Sequence, residues 1–168
     1  MSDDKVTMTE VERATLEFVT QHRSNYIASG GAQGHILDYT NLGGHFFTTT
    51  MLLETIGRKT GNRHVTPLIY GDIGGEVAIV ASKGGADVHP AWYLNLREAK
   101  HASIQIATQA YRCTIREPEG DERRKIWDFM IQVYPPYIDY QAATARVLPI
   151  VLLKPVETID LLTMPDAG

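Results

Sequence analysis

Cysteine is almost absent from this chain. Cys113 stands alone among 168 residues, which excludes an intramolecular disulfide and any cysteine-rich metal centre. Long apolar runs are also missing, and no segment reaches the roughly 20 uncharged apolar residues that a membrane-spanning helix requires. Positive charge is not in surplus. A net charge of −4 leaves no broad basic face for nonspecific nucleic-acid binding, so any anion site must be local. Asp3, Asp4, Glu10 and Glu12 occupy the N-terminal stretch with no basic region leading into an apolar block, so neither a secretory signal nor a transit peptide is expected and a cytoplasmic location is. The six histidines, at 22, 35, 45, 64, 89 and 101, never pair at the three- or four-residue spacing of a helical metal site, so no metal is expected. Gly30-Gly31-Ala32-Gln33-Gly34 lacks both the preceding strand and the following Gly-Lys-Thr of a phosphate-binding loop. No Gly-x-Ser-x-Gly elbow surrounds Ser82, which argues against a hydrolase.

An apolar content of 43% supports one core, and residues 1–168 read as a single domain with flexible ends at 1–8 and 160–168. A helix is expected over Thr9–Arg23, opened by Thr9 and Glu12 as a capping box and carrying Val11, Leu16, Phe18 and Val19 on one face. That face should dock on the domain itself, with weak membrane-surface association as the alternative. A long glycine-containing connection follows over residues 24–45. Strands are expected at Thr48–Ile56, His64–Tyr70 and Val77–Ser82, separated by turns at 57–63 and 71–75. A short helix over His89–Glu98 has Pro90 in its first turn, and Ser103–Thr108 with Tyr111–Glu117 reads as a hairpin. Helical spacing over Glu119–Tyr134 stops at Pro135-Pro136, a further helical segment covers Tyr137–Arg146, and Leu148–Leu153 reads as a buried strand ending at Pro155. Short turns between strands, interrupted by helices, predict an α+β domain whose antiparallel sheet curls into a small barrel.

Two glycine-bounded basic turns stand out: Gly57-Arg58-Lys59-Thr60-Gly61 and Ser82-Lys83-Gly84-Gly85. Both precede Pro90-Ala91-Trp92-Tyr93-Leu94-Asn95-Leu96. Glycine lets backbone N–H groups approach phosphate oxygens, Lys and Arg neutralise charge, and Trp and Tyr offer flat apolar surface. The pattern suits a phosphorylated aromatic cofactor. By contrast, Glu117, Glu119, Asp121 and Glu122 sit where a helix begins and read as a solvated cap.

Leu52-Leu53-Glu54-Thr55-Ile56-Gly57-Arg58-Lys59-Thr60-Gly61, Thr66-Pro67-Leu68-Ile69-Tyr70, Val80-Ala81-Ser82-Lys83-Gly84-Gly85-Ala86 and the Pro90 to Leu96 block resemble, in order and spacing, the deazaflavin-dependent nitroreductases. That family is a branch of the FMN-binding split β-barrel oxidoreductases. Glu54, Thr60 and His89 depart from its usual residues. The resemblance implies a split barrel binding coenzyme F-420 and passing a hydride from its reduced form to a quinone, nitroaromatic or activated unsaturated acceptor. It implies that Arg58, Lys59, Thr60, Gly61 and Arg63 hold the anionic tail. Pro67, Leu68, Ile69 and Tyr70 would line the deazaflavin, with Ala81, Ser82, Lys83, Gly84 and Gly85 contacting its ring and ribityl chain, and Ala91, Trp92, Tyr93 and Asn95 completing the wall. Tyr134, Tyr137 and Tyr140 would cover the open face and orient the acceptor, with Ser82 donating to a developing oxyanion. The alternatives are an FMN-dependent split-barrel enzyme, a non-catalytic carrier of a deazaflavin or lipid-like ligand, and a pure interaction domain. Oligomeric state is left open.

Overall fold

A computed structural model describes residues 10–165, with side chains from Arg13 onward. The capping contact between Thr9 and Glu12, and the extreme ends at 1–8 and 166–168, lie outside the described residues. Helix α1 (Glu10–Ala28) runs five residues past its expected end. Its apolar stripe is weak at first, with Leu16 and Phe18 about half exposed, and strengthens at His22 and Tyr26, which are buried. Tyr26 fixes the helix: its hydroxyl donates to the Thr50 carbonyl at 3.1 Å and accepts from the Ala107 N–H at 2.8 Å.

The remaining elements are β1 (Ile36–Leu37), β2 (Thr48–Ile56), β3 (Arg63–Ile69), β4 (Gly71–Ile73), β5 (Glu76–Val80), α2 (Ala91–Glu98), β6 (His101–Ile106), β7 (Gln109–Arg116), α3 (Gly120–Val133), α4 (Tyr137–Ala142) and β8 (Ile150–Ile159). The described strands form one antiparallel sheet in the order β1-β2-β6-β7-β8-β5-β4, with β3 on the other side of β2. Strands β3 and β4 are one chain run interrupted at Tyr70, so a single segment leads from beside β2 to the β4 end of the path. Tyr70 stays anchored to β2, its N–H donating to Thr49 O at 3.2 Å while the Thr49 hydroxyl donates back to Tyr70 O at 2.8 Å. The sheet is therefore strongly curled, yet among the described residues no ladder closes it into a ring. The architecture is α+β, an antiparallel sheet flanked by helices.

Period-two alternation sorts β2 onto two layers. Met51 and Leu53 point inward to a core with Ile79, Trp92, Ile104 and Leu153, whereas Leu52 faces outward to Tyr26, Val65 and Leu162 beneath α1. A third cluster packs α3 and α4 on the outside of β5 and β8, through Ile126, Met130, Tyr134 and Tyr137 against Val80, Ile150 and Leu152. Each such buried aliphatic side chain contributes roughly 1.5–3 kcal/mol. Strand β8 does not stop at Pro155. Its register shifts so that Cys113 faces Pro155 and Arg112 faces Glu157, leaving Val156 as an extra residue that lets the ladder absorb the proline and continue to Ile159. Beyond it, the Leu162 N–H donates to Gln105 Oε1 at 2.9 Å, so the expected loose end from residue 160 is held as far as Thr163, which contacts Arg63.

Candidate functional site

Strands β2 and β3 and the start of α2 bound a cleft of about 180 Å³ lined by Thr55, His64, Thr66, Ala91, Trp92 and Asn95. Asn95 is buried and sets its geometry. Its Oδ1 accepts from the Arg58 backbone N–H at 3.1 Å and from Arg58 Nη1 at 3.0 Å, so one amide ties the basic turn to α2. Arg58 and Lys59 are exposed and form no ion pair among the described residues, in contrast to Arg63, Arg112, Arg116 and Arg124. A cation without a carboxylate partner is available to an anion.

The second basic turn lies against the tyrosine segment. An ideal Cβ on Gly85, at φ +86°, would meet the Tyr140 carbonyl oxygen at 2.7 Å, so the turn at Lys83–Gly85 approaches α4 as only glycine allows. Tyr134, Tyr137 and Tyr140 form one cluster with ring centroids 5.1–6.3 Å apart, and the hydroxyls of Tyr134 and Tyr140 lie 3.3 Å apart. Tyr39, from the long connection, meets the Tyr134 ring edge-on at 5.8 Å and borders an apolar cavity of about 360 Å³ with Phe18 and Leu42. Burial pushes the Tyr39 phenol up to about 12 and holds Tyr134 and Tyr137 well above the ordinary tyrosine range, so all three stay protonated donors at neutral pH.

Residues 22–155 match the family described as F420H(2)-dependent quinone reductase. The chain belongs to that family. A Mycobacterium tuberculosis protein named F420H(2)-dependent quinone reductase is 28% identical to this reductase over 141 residues, 82% of this chain and 90% of its own length. A solved structure described as an F420-H2-dependent reductase is 37% identical with a TM-score of 0.58, over 62% of this chain and 93% of its own. Another, described as a domain-swapped dimer, is 32% identical with a TM-score of 0.61, over 83% and 99% respectively. The reductase is thus an F-420-dependent oxidoreductase, in keeping with the cofactor that its sequence blocks imply.

Its own residues fit that cofactor's chemistry unevenly. The open cleft with Trp92 on its wall suits a ring, and the unpaired Arg58 and Lys59 suit a polyanionic tail. Arg63 is placed elsewhere. Its Nε and Nη2 donate to Glu54 Oε2 at 3.0 and 2.6 Å, and Nη2 also reaches Thr163 O, on the face that β3 turns toward α1. Alternation likewise divides the expected Pro67–Tyr70 wall. Leu68 and Tyr70 belong to the inner core, whereas Ile69 packs toward α3 and α4. Tyr70 also hydrogen-bonds His35 Nε2 at 2.7 Å. Tyr93 is buried, its hydroxyl donating to Glu117 Oε1 at 2.6 Å, and Tyr137 is buried against Trp127, leaving Tyr140 the most accessible of the three tyrosines. Thr60 and Gly61 stay on the exposed β2–β3 turn, Ala81 is buried, Ser82 lies in the connection between β5 and α2, and Ala91 is the first residue of α2. Sequence reasoning missed Tyr39 and Arg146. Neither lies in a recognisable motif, and their roles come from distant contacts. Among the described residues no group of His, Cys, Asp and Glu could hold a metal, and no helix is long and apolar enough to cross a membrane.

Proposed function

We propose that this chain transfers a hydride from reduced F-420 to a quinone, with the cofactor tail on Arg58 and Lys59 and the ring between the Trp92 wall and the 81–85 segment. The carrying observation is the Asn95 bridge, which holds an unpaired cationic turn against an open cleft whose wall includes Trp92. When bound, the deazaflavin supplies a two-electron hydride, so alignment and water exclusion are the protein's main contributions. Tyr140 and Tyr39 orient the acceptor as hydrogen-bond donors, and Tyr134 and Tyr137 brace them from the buried side. Ser82 Oγ, which has no hydrogen-bond partner among the described residues, is free to donate to the oxygen that gains charge. Nitroaromatics and activated unsaturated carbonyls fit the same flat pocket as secondary acceptors.

The curled sheet, bridged by the β3–β4 run, supports reading the fold as a single split-barrel domain, and we place the protein in the cytoplasm. Side-by-side binding of F-420 and FMN, followed by tryptophan fluorescence, tests the cofactor assignment. Binding of F-420 at about micromolar Kd or tighter with negligible FMN binding is expected. A preference for FMN, or binding of neither, would overturn it, and F-420 binding without quinone turnover would make the protein a carrier.

A further inference from the structure

The connection between β5 and α2 holds three successive residues in the left-handed region: Lys83 at φ +46°, Gly84 at +63° and Gly85 at +86°. At a residue with a Cβ such backbone persists only where its surroundings over-determine it. One side chain from beyond α4 supplies much of that restraint. Arg146 donates Nε to Ala86 O at 2.7 Å, Nη2 to Ser82 O at 2.8 Å and Nη1 to Ala81 O at 3.2 Å. Nη1 also lies 3.0 Å from His89 Nδ1. A guanidinium has only donors and keeps its charge, so His89 Nδ1 is the acceptor and the imidazole carries its proton on Nε2. His89 in turn packs on the Tyr93 ring at 4.9 Å, which links the loop to the α2 wall.

We propose that Arg146 is the positioning residue of the cofactor-binding 81–89 loop, and that its hydrogen bond to neutral His89 makes F-420 affinity pH-sensitive. This rests on the reading that Ala81–Gly85 contact F-420. Protonating His89 would set a donor against a donor and a cation beside the guanidinium. The charged groups around the ring are Arg146 beyond α4, Arg97 on α2 and Glu117 after β7, and Glu117 is already engaged by Tyr93. Burial and then the two arginines hold His89 below its ordinary value, against the opposing pull of Glu117. The latch is therefore closed above the native His89 pKa and opens as pH falls through that lowered value, so affinity drops on acidification past it.

The test uses the full chain in two ways. Without cofactor, ¹⁵N NMR at pH 7.5 should find the His89 proton on Nε2, and the Gly84 and Gly85 amide shifts should titrate in the acid range in wild type but not in His89→Asn. An Nδ1–H tautomer, or loop amides that titrate equally in both proteins, would overturn the latch whether or not F-420 binds. With F-420, Kd should rise on acidification in wild type, stay flat with pH in His89→Asn, and rise about tenfold at pH 7.5 in Arg146→Lys. An unaltered acid limb in His89→Asn, or wild-type affinity in Arg146→Lys, would also overturn it. If the NMR latch is seen but wild type binds no F-420 at any pH, the cofactor reading fails and the loop's restraint by Arg146 stands.

Discussion

Asn95 couples the basic turn to α2 through one carboxamide oxygen. Replacing it with alanine leaves the Arg58 backbone N–H and the buried Thr55 hydroxyl, 3.5 Å from Asn95 Nδ2, without that partner. Denaturant unfolding of Asn95→Ala should show a loss of about 1–3 kcal/mol, accompanied by weaker F-420 binding. In the proposed site Lys59, exposed and without an ion pair among the described residues, would act by charge. Lys59→Ala should weaken F-420 binding several-fold at low salt and flatten its ionic-strength dependence, with a deazaflavin lacking the anionic tail affected little; titrations at two salt concentrations check this. Tyr140 is the accessible member of the tyrosine cluster, so Tyr140→Phe should lower kcat for a quinone about 10- to 100-fold with little change in F-420 affinity. Equal kcat in steady-state assays would remove the hydroxyl from the mechanism.

At the scale of elements, the 83–85 turn packs closely on α4, and in the proposed site this contact would set the cofactor side beside the acceptor side. Two neighbouring glycines separate backbone strain from packing there. Gly84→Ala meets only its left-handed φ, since nothing lies within 4 Å of an added Cβ, whereas Gly85→Ala meets the same kind of strain and the Tyr140 backbone at 2.7 Å. Thermal unfolding should show about 1–2 kcal/mol lost in Gly84→Ala and a larger loss in Gly85→Ala, with quinone turnover falling mainly in the latter. The helix-to-strand packing that supports this arrangement was legible from spacing. Ile126, Trp127, Met130, Ile131 and Tyr134 repeat at helical intervals, and α3 follows them to within a residue of the expected ends. The extension of β8 beyond Pro155 was not legible, because a proline in a strand is tolerated only where a bulge relieves the ladder, and the bulge depends on β7.

For the whole molecule, two neutral histidines join α1 and the long connection to the sheet. His22 is buried with Nε2 2.8 Å from the Gly34 carbonyl, and His35 Nε2 lies 2.7 Å from the Tyr70 hydroxyl. Burial lowers both pKa values, so the unfolded chain takes up protons that the native chain does not. Stability is therefore full above the unfolded value near 6.5 and falls as pH drops through the lower native values. Melting temperature should decline from pH 8 to pH 5, less steeply in His22→Gln; a flat profile would contradict this. By itself, the sequence determined the strand and helix periods, the glycine-bounded basic turns and the blocks that mark the family, because these rest on local geometry and neighbouring residues. Only the tertiary structure decided which face each strand residue presents. It turned Arg63 toward Glu54 and Thr163, split Leu68 from Ile69, and set Arg146 against carbonyls and a histidine 57 to 65 positions away. Contacts over such separations depend on how far and where the sheet curls; the local pattern predicts that it curls but not which distant residues the curl brings together.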